Sequence, residues 1–153
     1  MDDGTFWDLI GRLDWRDEDD DDAIVEPLIR SLALLPDAEI GSFQEILAQK
    51  LYELDGRPWA RESGDEVWFG DPDRVSVDAF LYARSAVVAR GRETYDAART
   101  DPTAMPKNAA FEALLYVAAT AYERKTGLEW EDLDDTEVSY ETFSNEAGWP
   151  KLS

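Results

Sequence analysis

The chain has 153 residues, 44% of them hydrophobic, which suits one folded domain rather than a disordered segment. It contains 35 acidic and 15 basic residues, and the resulting net charge of −20 disfavours nucleic-acid and anionic-membrane partners, because both need clustered cations. Histidine and cysteine are absent, which excludes Ser-His-Asp and Cys-His catalysis, disulfide bonds and thiolate zinc sites.

Three amphipathic helices are predicted in the first third of the chain. Apolar residues recur at helical spacing over 5–13, with Thr5 as the expected cap, then over Asp22–Leu35, and then over 36–54. Between the first two, Asp17–Asp22 is an unbroken acidic run, which is typical of a solvated loop. Such short helices with brief connections favour antiparallel packing.

Residues 57–74 lack helical periodicity and are predicted to form an irregular aromatic loop. Trp59 and Trp68 lie here among glycines, prolines and acids. The segment is either a surface loop pinned by its aromatic side chains or a recognition loop, since binding residues concentrate on ordered loops. Most tryptophans of a helical domain are buried, and these two are the ones we expect to reach solvent.

Residues 76–102 are predicted to organise the fold. Ser76 is a good N-cap, and the apolar stripe that follows it includes Arg84. A guanidinium on that stripe must reach solvent or meet a carboxylate, because an unpaired buried charge is costly. We favour an internal ion pair between helices over a ligand-binding role. Gly91 permits either a close helix approach or a break in the helix.

The last third is predicted to contain the longest helix, over Pro106–Lys125, ended by Gly127. The acidic tail 128–153 is too aromatic for disorder, so we expect it to pack back onto the helices, with a short helix near Thr136–Glu146. Its acid-rich segment Asp132–Glu137 lacks the glycine and glutamate positions of a calcium loop. No metal site and no cofactor are therefore predicted.

Several motifs together carry a family resemblance. They are Phe6-Trp7-x-Leu9-Ile10, Phe80-x-x-x-Arg84, Gly91-Arg92-Glu93-x-Tyr95 and Asp101-Pro102. With them the chain resembles a bacterial family of small, mostly stand-alone helical domains of unknown function. The resemblance implies a small helical domain, and it brings no assigned activity, cofactor or catalytic residue.

We predict one all-α domain over 1–153, a bundle of five to six helices with a core at 5–127 and a packed acidic tail. No apolar run is long enough to span a membrane and the start has no basic signal region, so a cytoplasmic location is expected. The oligomeric state stays open.

The leading functional hypothesis is a non-enzymatic acidic module that binds a basic protein, for example to neutralise a basic toxin or regulator. The alternative is a small-ligand-binding protein or a carboxylate-dependent enzyme with a pocket near Arg84. A structural oligomer is a third class. The candidate residues for ligand or partner binding are Arg84, Trp59, Trp68 and Tyr95.

Overall fold

The computed structural model describes residues 1–70, 74–131 and 135–151. Within these ranges the chain is helical and forms no β-strand apart from an isolated antiparallel bridge between Trp68 and Val75. The predicted all-α class is therefore confirmed, with seven α-helices in the described residues instead of five or six. The helices are α1 (Asp3–Ile10), α2 (Asp21–Ala33), α3 (Asp37–Glu53), α4 (Arg57–Glu62), α5 (Val77–Ala89), α6 (Arg92–Thr100) and α7 (Val117–Thr126).

The described residues divide into two compact units. Unit 1 comprises those within Met1–Leu47 and Ala113–Glu137, and unit 2 those within Ala48–Glu112 and from Val138 onward. The boundary falls inside α3. None of the helices in the described part of the chain is long and apolar enough to cross a bilayer.

Unit 1 is built on α2, which contacts both α1 and α7. The cap of helix α1 is Asp2, three residues before the expected Thr5, because the Asp2 carboxylate accepts the Thr5 N–H at 2.8 Å. Asp20 caps α2 in the same way, accepting from the Ala23 N–H at 3.1 Å. The buried side chains of α1 and α2 fall at the predicted helical spacing: Phe6, Trp7, Leu9, Ile10, Ile24, Val25, Leu28, Ile29 and Leu32.

Unit 2 contains one helix that the sequence pattern did not predict. It also contains a break between two helices, which the sequence pattern allowed. Helix α4 is only six residues long and directly follows Gly56, too short to show periodicity. Ser76 caps α5 as expected, accepting the Ala79 N–H at 3.3 Å. The predicted organising stretch is two helices, because Gly91 adopts φ +108° and the chain turns there into α6.

The prediction of a longest helix over Pro106–Lys125 is wrong. The Asn108 N–H donates to the Ser63 carbonyl at 2.9 Å and the Phe111 N–H donates to the Tyr82 carbonyl at 3.0 Å. Amides bonded to distant carbonyls cannot form helical bonds, so tertiary contacts override the high helix propensity of this alanine-rich stretch. A 3₁₀ helix at Glu112–Tyr116 leads into α7, which ends at Gly127 as predicted; α3, with 17 residues, is the longest described helix.

The predicted α-helix near Thr136–Glu146 is also wrong for the residues that the structure describes. That segment is irregular up to a 3₁₀ helix at Glu146–Gly148. The amides of Phe143 and Asn145 donate to the side chain of Asp55 instead of to carbonyls one turn back. The expectation that the tail packs is correct for Tyr140 and Thr142, which are buried.

We predict opposite effects for two glycine-to-alanine changes. Gly91→Ala should lower the free energy of unfolding by about 1–3 kcal/mol, because an extended backbone at positive φ is nearly closed to residues with a Cβ. Gly41→Ala should raise it by about 0.5–1 kcal/mol, because Gly41 lies inside α3 with open space around it. Urea unfolding of both variants checks this, and equal midpoints would refute the assigned conformation of Gly91.

Candidate functional site

Arg84 is fully buried in unit 2 and makes its hydrogen bonds inside the protein. Its exposed fraction is 0%. Nη1 donates to the backbone carbonyls of Leu51, at 2.9 Å, and Tyr140, at 3.0 Å, while Nη2 donates to the Thr142 hydroxyl at 3.0 Å. The guanidinium carbon also lies 4.6 Å from the centre of the Phe80 ring. One side chain thus joins the end of α3, helix α5 and the residues around Tyr140.

The charge of Arg84 is compensated without a direct ion pair among the described residues. Burial lowers the pKa of Arg84 to about 10, and the negative charges of Asp55 and Glu141 counteract that shift. The guanidinium therefore remains charged at neutral pH. The ion pair that we favoured from the sequence is replaced by carbonyl and hydroxyl acceptors, with the carboxylates acting from farther away.

Asp55 is the matching buried anion of unit 2. It is 0% exposed, and its carboxylate accepts from the backbone N–H groups of Phe143, at 3.1 Å, and Asn145, at 2.9 Å. It also accepts from Nε1 of Trp149 at 2.9 Å. Arg84 and Asp55 therefore both hold residues 138–151, here called the C-terminal segment.

Two other predicted site residues are also engaged internally. The hydroxyl oxygen of Tyr95 lies 2.6 Å from a carboxylate oxygen of Glu53 and 3.1 Å from the Lys50 carbonyl, and burial raises the pKa of Tyr95 far above its usual value. Trp59 is half-buried, and its Nε1 donates to the Ala98 carbonyl at 2.8 Å. Both side chains link neighbouring elements of unit 2.

Trp68 differs from the other three predicted residues because it lines a pocket. This pocket, of about 310 Å³, is also lined by Arg61, Asp65 and Lys107. The guanidinium of Arg61 lies 5.6 Å from the centre of the Trp68 ring. Trp59 and Trp68 pack against one apolar cluster that contains Phe80, the ring next to Arg84, but of the four predicted residues only Trp68 lines this pocket.

A larger pocket lies in unit 1, where the chain turns after α7. Gly127 ends the helix at φ +72°, which leads the following residues back across its last turn. The pocket has a volume of about 500 Å³. Its lining, here called the acidic aromatic pocket, consists of Asp37, Tyr122, Leu128, Glu129, Trp130 and Glu131.

This pocket combines carboxylates with aromatic and exposed apolar surface. The rings of Tyr122 and Trp130 are tilted, with their centres 5.7 Å apart. Leu128 is 62% exposed. Lys125 already forms an ion pair with Asp37 at 2.7 Å, whereas Glu129 and Glu131 have no ion pair with any described residue.

The electrostatic surroundings of the pocket are strongly negative. The sequence of unit 1 contains 21 acidic and 5 basic residues, a net charge of −16 out of the chain's −20. In the described part of the chain, no group of three carboxylates is close enough to hold a metal ion. The pocket thus combines separated carboxylates with two aromatic rings.

Sequence reasoning missed this pocket because its residues come from distant positions. Asp37 begins α3 and Tyr122 lies on α7, and nothing in the local pattern of either predicts that they meet. One signal was present: Glu129-Trp130-Glu131 places an aromatic residue between two acids directly after a helix-ending glycine.

Comparison with known proteins shows which protein family the chain belongs to. A family model described as a protein of unknown function (DUF4240) matches residues 1–124. The chain belongs to this family. The resemblance found in the sequence is thereby confirmed as kinship to a domain of unknown function. No curated protein and no solved structure matches the chain.

The DUF4240 match ends before the residues that satisfy its two buried charges. Arg84 and Asp55 lie within it, while the segment that bonds to them begins at Val138. The match also includes Asp37 and Tyr122 of the acidic aromatic pocket but not Trp130. In this DUF4240 protein, sequence beyond the match therefore completes both the core of unit 2 and the pocket of unit 1.

We predict that Arg84→Met lowers the free energy of unfolding by about 2–5 kcal/mol, because two backbone carbonyls each lose one donor and Asp55 loses a compensating charge. Arg90→Met is the matched control, since Arg90 is exposed at the C-terminal end of the same helix, and it should change stability by at most about 0.5 kcal/mol. Urea titration at neutral pH measures both. Indistinguishable midpoints would contradict the role given to Arg84.

Proposed function

We propose that this DUF4240 protein is a non-enzymatic acidic module that binds a basic protein, with a lysine or arginine side chain of the partner entering the acidic aromatic pocket. The observation that carries the proposal is the combination, within one pocket, of two contacting aromatic rings and carboxylates that lack an internal cation. Its location in the unit with a net charge of −16 adds to that support.

The pocket chemistry complements a long cationic side chain in two ways. Lysine and arginine have an apolar stem and a charged head. Leu128 and the two rings offer surface for the stem, and the ring faces attract the cation. Glu129 and Glu131 then supply the opposite charge. Asp37 is already paired with Lys125, so the carboxylates left for a partner are those of Glu129 and Glu131.

Two properties of the whole chain favour binding over catalysis. The sequence has no imidazole or thiol, the groups that proteins use most for proton transfer and nucleophilic attack near neutral pH. A field of one sign also accelerates encounter with an oppositely charged partner. Both properties suit a protein that captures a basic partner.

The second candidate is a small anionic ligand at the Trp68 pocket of unit 2. Arg61 and Lys107 line it, and Arg61 is stacked on the indole ring. Lys107 already forms an ion pair with Glu62 at 2.8 Å, and this pairing weakens its attraction for an anionic ligand. We therefore rank this site second.

We predict that a fluorescent, arginine- and lysine-rich peptide binds the protein and that Trp130→Ala weakens its affinity about 2- to 30-fold, because the cation loses an aromatic face. Trp68→Ala should leave that affinity unchanged. Fluorescence anisotropy at low salt measures the affinity. Binding should weaken as salt is raised towards about 1 M, where the screening length is about 3 Å.

A second pair of variants separates the pocket from the general charge of the surface. Glu131→Gln and Glu123→Gln each remove one negative charge, but Glu123 is an exposed residue of α7 that does not line the pocket. The proposal predicts a clear loss for Glu131→Gln and a small one for Glu123→Gln. Equal losses would show that the peptide senses only the overall field.

A further inference from the structure

We infer that Lys125 is an internal competitor of the acidic aromatic pocket: its ammonium group holds one of the pocket's carboxylates and so lowers the affinity of the pocket for a partner's cation. The inference rests on the proposed function, because it concerns the same pocket and the same class of ligand. It gives a specificity-determining role to a residue that does not itself line the pocket.

Two acceptors near the start of α3 hold the ammonium group of Lys125 in place. Its Nζ lies 2.7 Å from a carboxylate oxygen of Asp37, and it donates to the backbone carbonyl of Leu35 at 2.8 Å. The side chain of Lys125 is 31% exposed, whereas that of Asp37 is 57% exposed. The ammonium group therefore has a defined position, with the carboxylate that it pairs with still open to solvent.

The position of Lys125 on α7 places this ammonium group beside the pocket. Tyr122, which lines the pocket, precedes Lys125 by three residues, and residues at this spacing are neighbours on a helix surface. Asp37, which also lines the pocket, is the residue that Lys125 contacts. A cation that enters the pocket therefore meets a like charge at its edge.

Lys125 changes the charge that the pocket presents. Three carboxylates line the pocket, those of Asp37, Glu129 and Glu131, and Lys125 compensates the first. It opposes an entering cation in two ways, because it withholds the Asp37 carboxylate as a direct partner and also repels the cation. The affinity is thus set below the level that three unpaired carboxylates would give.

A purely structural role of Lys125 leads to a different expectation. A lysine in the last turn of a helix interacts favourably with the helix dipole, and its bond to the Leu35 carbonyl ties α7 to the residues before α3. If this were its only role, removing the lysine would lower stability and would leave cation binding unchanged or weaker. A gain of affinity is therefore specific to competition.

The first test replaces Lys125 by methionine, which keeps most of the apolar stem and removes the charge. Lys125→Met should bind the fluorescent, arginine- and lysine-rich peptide about 2- to 5-fold more tightly than the wild type. Lys125→Arg keeps the charge and should bind as the wild type does. Fluorescence anisotropy at about 0.1 M salt measures the affinities. Circular dichroism checks folding, and Lys125→Gln replaces the methionine variant if that variant is unfolded.

Arg16→Met is the matched control for net charge. Arg16 also pairs with an aspartate, Asp14, at 2.6 Å, but this pair precedes α2 whereas Asp37 follows it. The 13 residues of α2 span about 20 Å, about twice the screening length of about 10 Å at 0.1 M salt. Arg16→Met should therefore leave the affinity for the peptide unchanged.

The second test asks whether the gain depends on Asp37. Lys125→Met combined with Asp37→Asn should bind the peptide no more tightly than the wild type, because the released carboxylate is then missing. Lys125→Met combined with Glu123→Gln has the same net charge, but Glu123 is an exposed residue of α7 that does not line the pocket. This second double variant should keep most of the gain.

The outcomes separate this inference from the proposed function. If the peptide binds the wild type and Trp130→Ala weakens it, but the folded Lys125 variant binds no more tightly, the inference alone is overturned. Equal affinities of the two double variants overturn it as well. If the wild type binds no peptide, or Trp130→Ala binds as the wild type does, the proposed function fails. The inference then falls with it unless Lys125→Met gains an affinity that Asp37→Asn removes.

Discussion

The structure of unit 2 depends on the guanidinium of Arg84, which is buried in its interior. A buried charge is costly unless hydrogen bonds compensate it. The two Nη atoms of Arg84 donate to two carbonyls and a hydroxyl, two of these acceptors lying in the C-terminal segment, while Nε has no partner among the described residues. Asp55 has the complementary role, because its buried carboxylate accepts hydrogen bonds from three donors of the same segment. Together the two charges order a stretch of chain that contains no α-helix.

The two units differ in how they use charge. In unit 2 a few ionised groups are internal and serve structure, and the net charge of its sequence is −4, from 14 acidic and 10 basic residues. Unit 1 carries most of the chain's negative charge on exposed residues, and its pocket places aromatic rings beside carboxylates. The proposal that this chain binds a basic partner therefore rests on unit 1. The DUF4240 kinship brings no assigned activity, so that proposal depends on this chain's own contacts.

Local patterns predicted those features that depend on neighbours in the sequence. The stripes of α1, α2 and α3, the Ser76 cap, the stop at Gly127 and the position of Arg84 on a buried face are of this kind. The errors occur where a distant partner competes for the backbone, as Ser63 does at Asn108 and Asp55 does at Phe143. For the same reason the sequence did not predict the acidic aromatic pocket, since Asp37 and Trp130 become neighbours only after folding. The expectation that Trp59 and Trp68 are the tryptophans that reach solvent is correct only in part, because both are half-buried whereas Trp15 is 40% exposed.

Amide hydrogen exchange at Phe143 and Asn145 tests the central claim most directly, because both amides bond to the buried carboxylate of Asp55. If the buried charges hold the C-terminal segment, these amides exchange at least about a hundredfold more slowly than those of an unstructured peptide of the same sequence. Exchange of both at the rate of the unstructured peptide, while the amides inside α5 stay protected, would contradict the account.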